Sequence, residues 1–259
     1  MKRIAVIGLL ILLISSLLVG CVPGTWVKGN GKIETRDYSL SGFTRIEVSG
    51  AFEITVTRSA DYKVSVTTSN NLFDYLDINV VGDLLRIRPR PTFSFHLSEF
   101  KAVVTMPELT GFNISGASNG TVSGFIAGSS PTIEVSGASK LNMTDMKFNS
   151  SAIEVSGASR LNATIDTSKC NIEVSGASTL TMSGSADTAQ MNVSGASSLR
   201  ISDFNINNAD VIVSGASNAS VTVRGTLDAQ VNGASRLTYA GNPKLGQVDV
   251  SGASSMKPQ

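Results

Sequence analysis

The sequence predicts an all-β protein, a right-handed single-stranded β-helix (solenoid) whose coils are each about 19 to 20 residues long. Three observations predict this fold. A Ser-Gly-Ala motif recurs at nearly constant spacing, apolar and polar residues alternate around its copies, and charged residues make up only 16% of the chain. Short stacked strands fit this composition better than a bundle of charged helices does.

The repeat is the strongest of these signals. From Gly116 onward the central glycines of successive copies are separated by 21, 20, 19, 19, 20, 18 and 19 residues, which indicates one coil of a solenoid per copy. The first gap, between Gly50 and Gly116, is 66 residues and has room either for diverged coils or for an inserted hairpin. The motif or a near copy is centred on Gly50, Gly116, Gly137, Gly157, Gly176, Gly195, Gly215, Gly233 and Gly252.

Residues around the glycine alternate as in a β-strand, where successive side chains point to opposite sides. Positions two and four before it are apolar in every copy, as Val135 and Ile133 are before Gly137. Positions four and six after it are mostly apolar, and the position three before it is polar in every copy except one, Ile212. We therefore expect the apolar columns to face the core and the polar column to face solvent.

Small residues form the corner at each copy of the motif. Glycine supplies a backbone conformation that other residues disfavour and allows neighbouring coils to approach closely. The second serine of the motif, as in Ser139 and Ser159, shares the parity of the apolar columns. We therefore expect its hydroxyl to point inward and to bond to its equivalents or to the corner backbone.

The N-terminal part alternates in the same way but lacks the regular repeat. Val81 to Leu84 predict a hairpin turn, and Asn70 to Asp77 predict one short helical turn. A looser β region of this kind suits the capping role that solenoids need. The expected divisions are a signal peptide over residues 1–20, a tether over 21–32, a β-rich cap over 33–110 and the regular β-helix over 111–259.

The leader resembles a bacterial lipoprotein signal. Lys2 and Arg3 precede an apolar run that is shorter than the roughly 20 residues that a spanning helix needs. Leu18 to Cys21 resemble the lipobox, in which Cys21 becomes the acylated first residue of the mature protein. An uncleaved anchor and an ordinary secretory signal are the alternatives. Two or more acyl chains, palmitate among them, anchor a protein stably in a membrane. We therefore expect a lipid-anchored protein of the bacterial cell envelope, outward-facing or periplasmic.

Charge and cysteine usage restrict the partners. Of 21 basic residues, Lys2 and Arg3 belong to the leader, which leaves 19 against 20 acidic residues and predicts no nucleic-acid partner.

Cys170, the only cysteine besides Cys21, lies in an alternating stretch and is expected to pack as a small hydrophobic residue. Neither a phosphate-binding loop nor a zinc pattern occurs, so no cofactor is expected.

The candidate residues for chemistry are few. His96 is the only histidine, and the serine of the motif recurs too often to be a unique nucleophile, so no catalytic residue is predicted. The most suggestive polar feature is the column Glu134, Glu154 and Glu173, with one carboxylate per adjacent coil. A solvated column is the favoured interpretation, and a weak cation or sugar site is the alternative. Lys140, Arg160 and Arg236, three residues after their glycines, could lie elsewhere on the same surface, but six residues of extended chain separate their column from the glutamates.

Several stretches resemble one known family. These are Phe43 to Val56, then Gly82 to Ile87, then the repeated Val-Ser-Gly-Ala-Ser. In this order they resemble the putative auto-transporter adhesin head GIN domain family, a domain of unknown function common in bacterial lipoproteins. The resemblance covers roughly residues 40 to 255. It implies a β-helical cell-envelope protein, and it supplies no functional residues.

Together these features predict a non-catalytic, membrane-tethered adhesion or binding module. Its expected partners are membrane lipid through acylated Cys21 and a glycan, peptidoglycan or envelope protein on the solenoid faces. One alternative is a structural protein that self-associates end to end, because an uncapped solenoid end exposes strand edges. A polysaccharide-degrading β-helix enzyme is a further alternative, which acidic residues clustered with a basic neighbour would favour.

Overall fold

The computed structural model describes residues 25–96, 98–126 and 128–259. The protein is 65% strand and 3% helix, and its strands form a β-solenoid of about 7 turns, so the predicted fold class is confirmed. The predicted signal peptide over residues 1–20 and the acylation site Cys21 lie outside the described residues.

The strands are numbered in chain order. Those of the N-terminal part are β1 Thr25–Lys28, β2 Ile33–Tyr38, β3 Arg45–Val48, β4 Glu53–Arg58, β5 Lys63–Ser69, β6 Leu76–Val81, β7 Leu84–Pro89, β8 Phe93–His96 and β9 Lys101–Met106. Those of the regular solenoid are β10 Gly111–Ile114, β11 Asn119–Ser123, β12 Thr132–Val135, β13 Lys140–Val155, β14 Arg160–Val174, β15 Thr179–Val193, β16 Ser198–Val213, β17 Asn218–Val223, β18 Thr226–Val231, β19 Arg236–Ala240, β20 Lys244–Val250 and β21 Ser255–Pro258. A 3-10 helix, Asn70–Tyr75, lies between β5 and β6.

Each regular coil contains three strand segments, and each segment pairs in parallel with the same segment of the next coil. In β13, paired with β14, these segments are residues 140–143, 146–148 and 150–155. The predicted apolar columns face the core: Ile133, Ile153 and Ile172, all four residues before their glycines, are at most 3% exposed. Because equivalent residues stack on one another, the repeat in the sequence becomes a continuous apolar core.

Glycine is required at the corner for two reasons. Gly157 has φ 74°, in the left-handed region that other residues disfavour. A Cβ atom on Gly157 would also lie only 2.5 Å from the carbonyl oxygen of Gly137 in the preceding coil. That oxygen accepts a hydrogen bond of 2.8 Å from the N–H of Ala158. The close stacking of corners therefore leaves no room for a side chain.

The second serine of each corner from Gly116 to Gly233 is buried, as its parity predicts, and Ser254 of the last corner is half-buried. Ser139 and Ser159 are 2% and 3% exposed, and the N–H of Ser139 donates to Ser159 Oγ at 3.4 Å. Where a bond donated by the hydroxyl is seen between coils, it goes to a corner carbonyl, as from Ser217 Oγ to Gly195 O at 3.3 Å. The hydroxyls thus satisfy polar backbone groups that the stacked corners bury.

The 66-residue gap contains features of both alternatives considered for it. The coils of Gly50 and Gly116 stack directly, because β3 pairs with β10. β7 and β9 then pair in parallel with the other edges of β3 and β4, which adds a terminal coil. The rest is inserted structure: β5 pairs antiparallel with β2 and β9, and β6 pairs antiparallel with β7. The chain therefore runs out to one end of the solenoid and returns.

Both short elements predicted in this part are present. The hairpin joins β6 to β7 with Val81 opposite Leu84, and Gly82 in the turn has φ 63°. The helical turn is the 3-10 helix, in which Leu72 and Phe73 are buried. In the expected tether, β1 pairs in parallel with β8, so this segment contains a short strand.

The opposite end of the solenoid differs. β20 is exposed at every residue, although Val248 and Val250 continue the inward columns of the preceding coils. These two side chains are 41% and 42% exposed, and Leu245 is 45% exposed. The last described coil therefore presents its apolar side chains to solvent.

Candidate functional site

Two outward-facing strips of the solenoid carry opposite charges. The positions three and five before each corner glycine, over residues 132–249, form a strip that we call the acidic face. The positions three and five after each corner glycine, over residues 119–257, form the basic face. The acidic face contains no Lys or Arg and carries Glu134, Glu154, Glu173, Asp210, Asp228 and Asp249. The basic face contains no Asp or Glu and carries Lys140, Arg160, Arg200, Arg236 and Lys257.

The glutamate column identified in the sequence is a continuous ladder on the acidic face. Glu134 is opposite Glu154, and Glu154 is opposite Glu173, on neighbouring coils. At one end Asn113 donates from Nδ2 to Glu134 Oε2 at 2.6 Å, and at the other Asn192 follows Glu173 in register. Because an amide side chain flanks the ladder at each end, the strip combines carboxylates that accept hydrogen bonds with amides that can also donate them.

A shallow groove of about 500 Å³ runs along this face across the strand segments that precede the corner glycines of several coils. Glu154 and Glu173 line it, together with residues five before the glycine that the sequence analysis did not single out, namely Asn171, Gln190 and Asp210. The sequence could have placed these residues on the outward side of the strand, because a residue five before the glycine has the same parity as one three before it. Ile212, the apolar exception in the polar column, forms part of the lining.

The acidic face is an open ladder of side chains, and this arrangement determines which ligands it can bind. Among residues 25–96, 98–126 and 128–259, no three His, Cys, Asp or Glu side chains are grouped so that they could hold a metal ion. The carboxylates project from successive rungs about 4.8 Å apart, where they can accept hydrogen bonds from a ligand that lies along the strip. Glu154 and Glu173 are exposed.

The basic residues lie beyond the corner, on the strand segment that follows the corner glycine. Lys140 is opposite Arg160 on the next coil, and the two line a groove of about 290 Å³ together with Thr179. Beside them Asn162 donates from Nδ2 to Asn142 Oδ1 at 2.9 Å. The column expected from the sequence is therefore present, and the corner separates it from the carboxylates.

The charges of both faces lack ion-pair partners within the described part of the chain. The six ion pairs found there all lie between Glu34 and Lys101. The acidic and basic faces are thus unneutralised within one copy of the protein. Charges that are exposed and without an intramolecular partner are available to a ligand or to another molecule.

Cys170 belongs to the core, as expected. It is 1% exposed, and Ser151 Oγ donates to its sulfur at 3.3 Å. Burial raises the pKa of the thiol to about 11, with the serine hydrogen bond acting weakly in the other direction. Since the thiolate is the reactive form, burial and the raised pKa both favour a structural role for Cys170 in the core.

Cys21 lies outside the described residues, and its acylation stays a prediction. No helix in the described ranges is both long and apolar enough to cross a membrane.

Known proteins similar to this chain share its fold. No curated protein is significantly similar to it in sequence. Among solved structures, a putative adhesin from Parabacteroides distasonis is 20% identical with a TM-score of 0.80, and a putative lipid binding protein from the same organism is 20% identical with a TM-score of 0.76. Each comparison covers 91% of this chain and 100% of the other. A putative adhesin from Parabacteroides merdae is 18% identical with a TM-score of 0.75, over 90% of this chain and 99% of the other.

The sequence comparison identifies the family directly. The model of one domain family matches residues 42–243, which include most of the cap and nearly all of the regular solenoid. The chain therefore belongs to the family described as putative auto-transporter adhesin, head GIN domain.

Proposed function

We propose that the protein is a non-catalytic binding module of the bacterial cell envelope, tethered to a membrane through acylated Cys21, whose acidic face binds a glycan. Membership of an adhesin family supports an extracellular or envelope-associated binding protein. The lipobox-like leader supports the tether. The bound polymer would be a surface glycan or peptidoglycan.

The observation that carries this proposal is the groove on the acidic face. Glu154 and Glu173 offer hydrogen-bond acceptors on adjacent rungs, while Asn171, Gln190 and Asn192 add amide groups that both donate and accept. Vicinal sugar hydroxyls need this mixture of donors and acceptors. The uniform negative charge selects neutral or amino-bearing sugars, because a sulfated or uronate polymer would be repelled.

A binding experiment tests the ligand class. Full-length protein is screened against neutral, amino-bearing and anionic glycans and peptidoglycan fragments, beside the isosteric double variant Glu154→Gln/Glu173→Gln. We expect selective binding of a neutral or amino-bearing glycan, weakened about tenfold in the variant, which corresponds to about 1.4 kcal/mol. The matched control Asp166→Asn/Asp187→Asn removes two exposed carboxylates outside both faces and should leave binding unchanged.

Several results of this screen would contradict the glycan proposal. One is equal binding by the wild type and the double variant, and another is the absence of any selective glycan. Phospholipid vesicles form a further arm, since one solved relative is described as a lipid binding protein. Binding to vesicles alone, with the same affinity in the double variant, would replace the glycan with a lipid.

The tether is tested separately by intact mass spectrometry of membrane-extracted protein and of a Cys21→Ser variant. A diacyl or triacyl adduct on Cys21, lost in the variant, is the expected result. An unmodified mass, or secretion of free protein, would remove the tether from the proposal and leave the glycan site to be judged by the screen.

An assembly role is the second candidate, and the exposed last coil favours it. Val248 and Val250 have the parity of core residues but are about two-fifths exposed, and the edge strands β20 and β21 can pair with a strand of another chain. Light scattering over a range of concentrations would detect end-to-end dimers. We expect Val248→Asp to abolish them and Gln247→Asp, on the outward side of the same strand, to retain them. Monomers at all concentrations would rule this role out.

A polysaccharide-degrading enzyme is the least favoured role. The carboxylates of the acidic face line an open strip that contains no Lys or Arg over residues 132–249, and Arg45 is near Glu134 only at the cap end of these columns. A glycosidase needs a raised-pKa acid beside a second carboxylate around one scissile bond, and an in-register ladder of equivalent residues does not distinguish two such roles.

A further inference from the structure

We propose that the acidic face of one copy of this protein binds the basic face of a second copy, so that solenoids associate side by side. This contact is distinct from the end-to-end pairing of β20 and β21. It does not depend on glycan binding, but it uses Glu154 and Glu173 of the same groove, so a glycan and a second copy compete for the acidic face. Three features of the described solenoid favour this contact: the segregation of charge, the absence of internal ion pairs and the equal spacing of the two faces.

Segregation of charge is the first step. Glu134, Glu154 and Glu173 occupy consecutive rungs of one face, and Asp210 is opposite Asp228 further along the same strip. Across the corner, Lys140 and Arg160 occupy consecutive rungs of the other face. One molecule therefore carries two oppositely charged surfaces, each large enough to interact with several side chains of a partner.

The second step is that nothing in the described solenoid neutralises these charges. Every ion pair of the described residues lies between Glu34 and Lys101, outside the regular coils. Like charges on adjacent strands destabilise one another. A partner of opposite charge therefore relieves repulsion on each face and also adds attraction.

The spacing of the two faces is the third step. Both faces are built on the same rungs, so both repeat at about 4.8 Å along the axis. Two copies with parallel axes consequently have rungs at the same interval. Carboxylates meet cations on the rungs where both faces are charged, since the basic face has no cation at the coils of Gly176 and Gly215. A polyanionic ligand would neutralise the basic face alone. A contact between two copies neutralises an acidic face and a basic face at once, and for this reason the structure favours self-association.

The expected contact is weak and sensitive to salt. About 7 turns at about 4.8 Å, and a strip about four residues wide, give on the order of 450 Å² per copy. The total for the two copies, about 900 Å², is below the standard size of a stable interface, so the complex should dissociate readily. Because the two faces differ, the contact is heterologous and can extend into rows of molecules.

Zero-length cross-linking tests the contact. A carbodiimide joins carboxylates directly to lysine amines, and a mixture of isotopically light and heavy full-length protein in nonionic detergent distinguishes links between copies. At low ionic strength we expect light-to-heavy links between Lys140 and Glu154 or Glu173. Raising the salt to about 0.5 M should reduce these links at least tenfold, because screening shortens the range of the attraction.

A charge-swap pair gives the decisive comparison. Lys140→Glu/Arg160→Glu replaces the two adjacent cations of the basic face with carboxylates, and Glu154→Lys/Glu173→Lys replaces two adjacent carboxylates of the acidic face with cations. Sedimentation velocity at low salt should show each variant as a monomer and should show association when the two are mixed. The control Lys147→Glu/Lys169→Glu changes the charge by the same amount on exposed residues outside both faces and should associate like the wild type.

The remaining outcomes overturn the proposal. One is a wild type that stays monomeric at low salt, and another is a mixture of the two variants that fails to associate. A third is association that persists at high salt or in each variant alone, which is the result that end-to-end pairing would give. A monomeric wild type that binds a sulfated polysaccharide through Lys140 and Arg160 would assign the basic face to a polyanion instead.

Discussion

The cap, residues 33–110, and the regular solenoid, residues 111–259, are held together in different ways. The cap contains the six ion pairs and the four aromatic ring pairs seen among the described residues, together with the antiparallel strand pairs. The solenoid relies on parallel backbone pairing and on stacked columns of Val, Ile, Leu and Ala. Specific side-chain contacts thus stabilise the cap, whereas repetition stabilises the solenoid.

This difference explains why ion pairs occur in the cap and charged side chains of the solenoid faces have no ion-pair partner. In the cap Glu47 lies 3.1 Å from Arg88 and 3.7 Å from Arg86, and these side chains are about 30% exposed. In the solenoid the outward positions contribute little to folding, because backbone and core columns already determine the coil. Their side chains are therefore available for binding, and both proposals above use them.

The largest expected effect is at the stacked corners of the solenoid. Gly157→Ala places a Cβ atom 2.5 Å from Gly137 O and requires positive φ, so we expect a loss of about 3 kcal/mol in the free energy of unfolding. Gly31→Ala, in the N-terminal part, has a similar φ of 78° with open space around it, and should lose only about 1 kcal/mol. Urea unfolding measures both, and equal losses would show that stacking adds nothing to the glycine requirement.

The next effect is a pH dependence that originates in the solenoid core. Burial raises the pKa of Cys170 from 9.0 to about 11, so the folded protein holds this proton more tightly than the unfolded chain. Stability should therefore be fully present below about pH 9 and fall by up to about 3 kcal/mol as the pH rises through 11. The difference between wild type and Cys170→Ala isolates this contribution, because other groups titrate in both. Parallel stability curves for the two proteins would contradict it.

Charge removal should affect the two regions differently. Glu47→Gln breaks a partly buried network in the cap, and we expect a loss of about 1 kcal/mol. Glu154→Gln in the solenoid removes repulsion from Glu134 and Glu173, so stability should be unchanged or a few tenths of a kcal/mol higher. Thermal unfolding at low salt provides the measurement. A loss at Glu154 as large as that at Glu47 would mean that the acidic face contributes to folding.

The smallest effect distinguishes the corners next to the cap from the regular corners. Ala117 has φ 67°, and Ala51 has φ 64°, whereas Ala158 is not in the left-handed region. Ala117→Gly relieves backbone strain and should be neutral or stabilise by about 0.5 kcal/mol. The same change at Ala158 should destabilise by about 0.5 to 1 kcal/mol. If both substitutions destabilise equally, the two types of corner are equivalent in energy.

Much of the regular solenoid could be predicted from its sequence. Constant spacing of about 19 residues and a period of two assign each position to the core or to solvent, and the burial of Ile153 and Ser159 follows from parity alone. The ladder of Glu134, Glu154 and Glu173 follows in the same way. The groove was missed, because parity gives the side of a strand but does not show which residues share a concave surface.

The sequence by itself determined the coil length, the inward and outward columns and the position of every corner glycine, since these depend on local periodicity and on the backbone freedom of glycine. Only the tertiary structure decided the rest. It stacks Gly50 directly on Gly116 while the intervening chain forms the cap, and it separates Lys140 from Glu134 across a corner. The physical reason is that stacking partners and face boundaries depend on contacts between distant segments and on the direction in which each corner turns the chain.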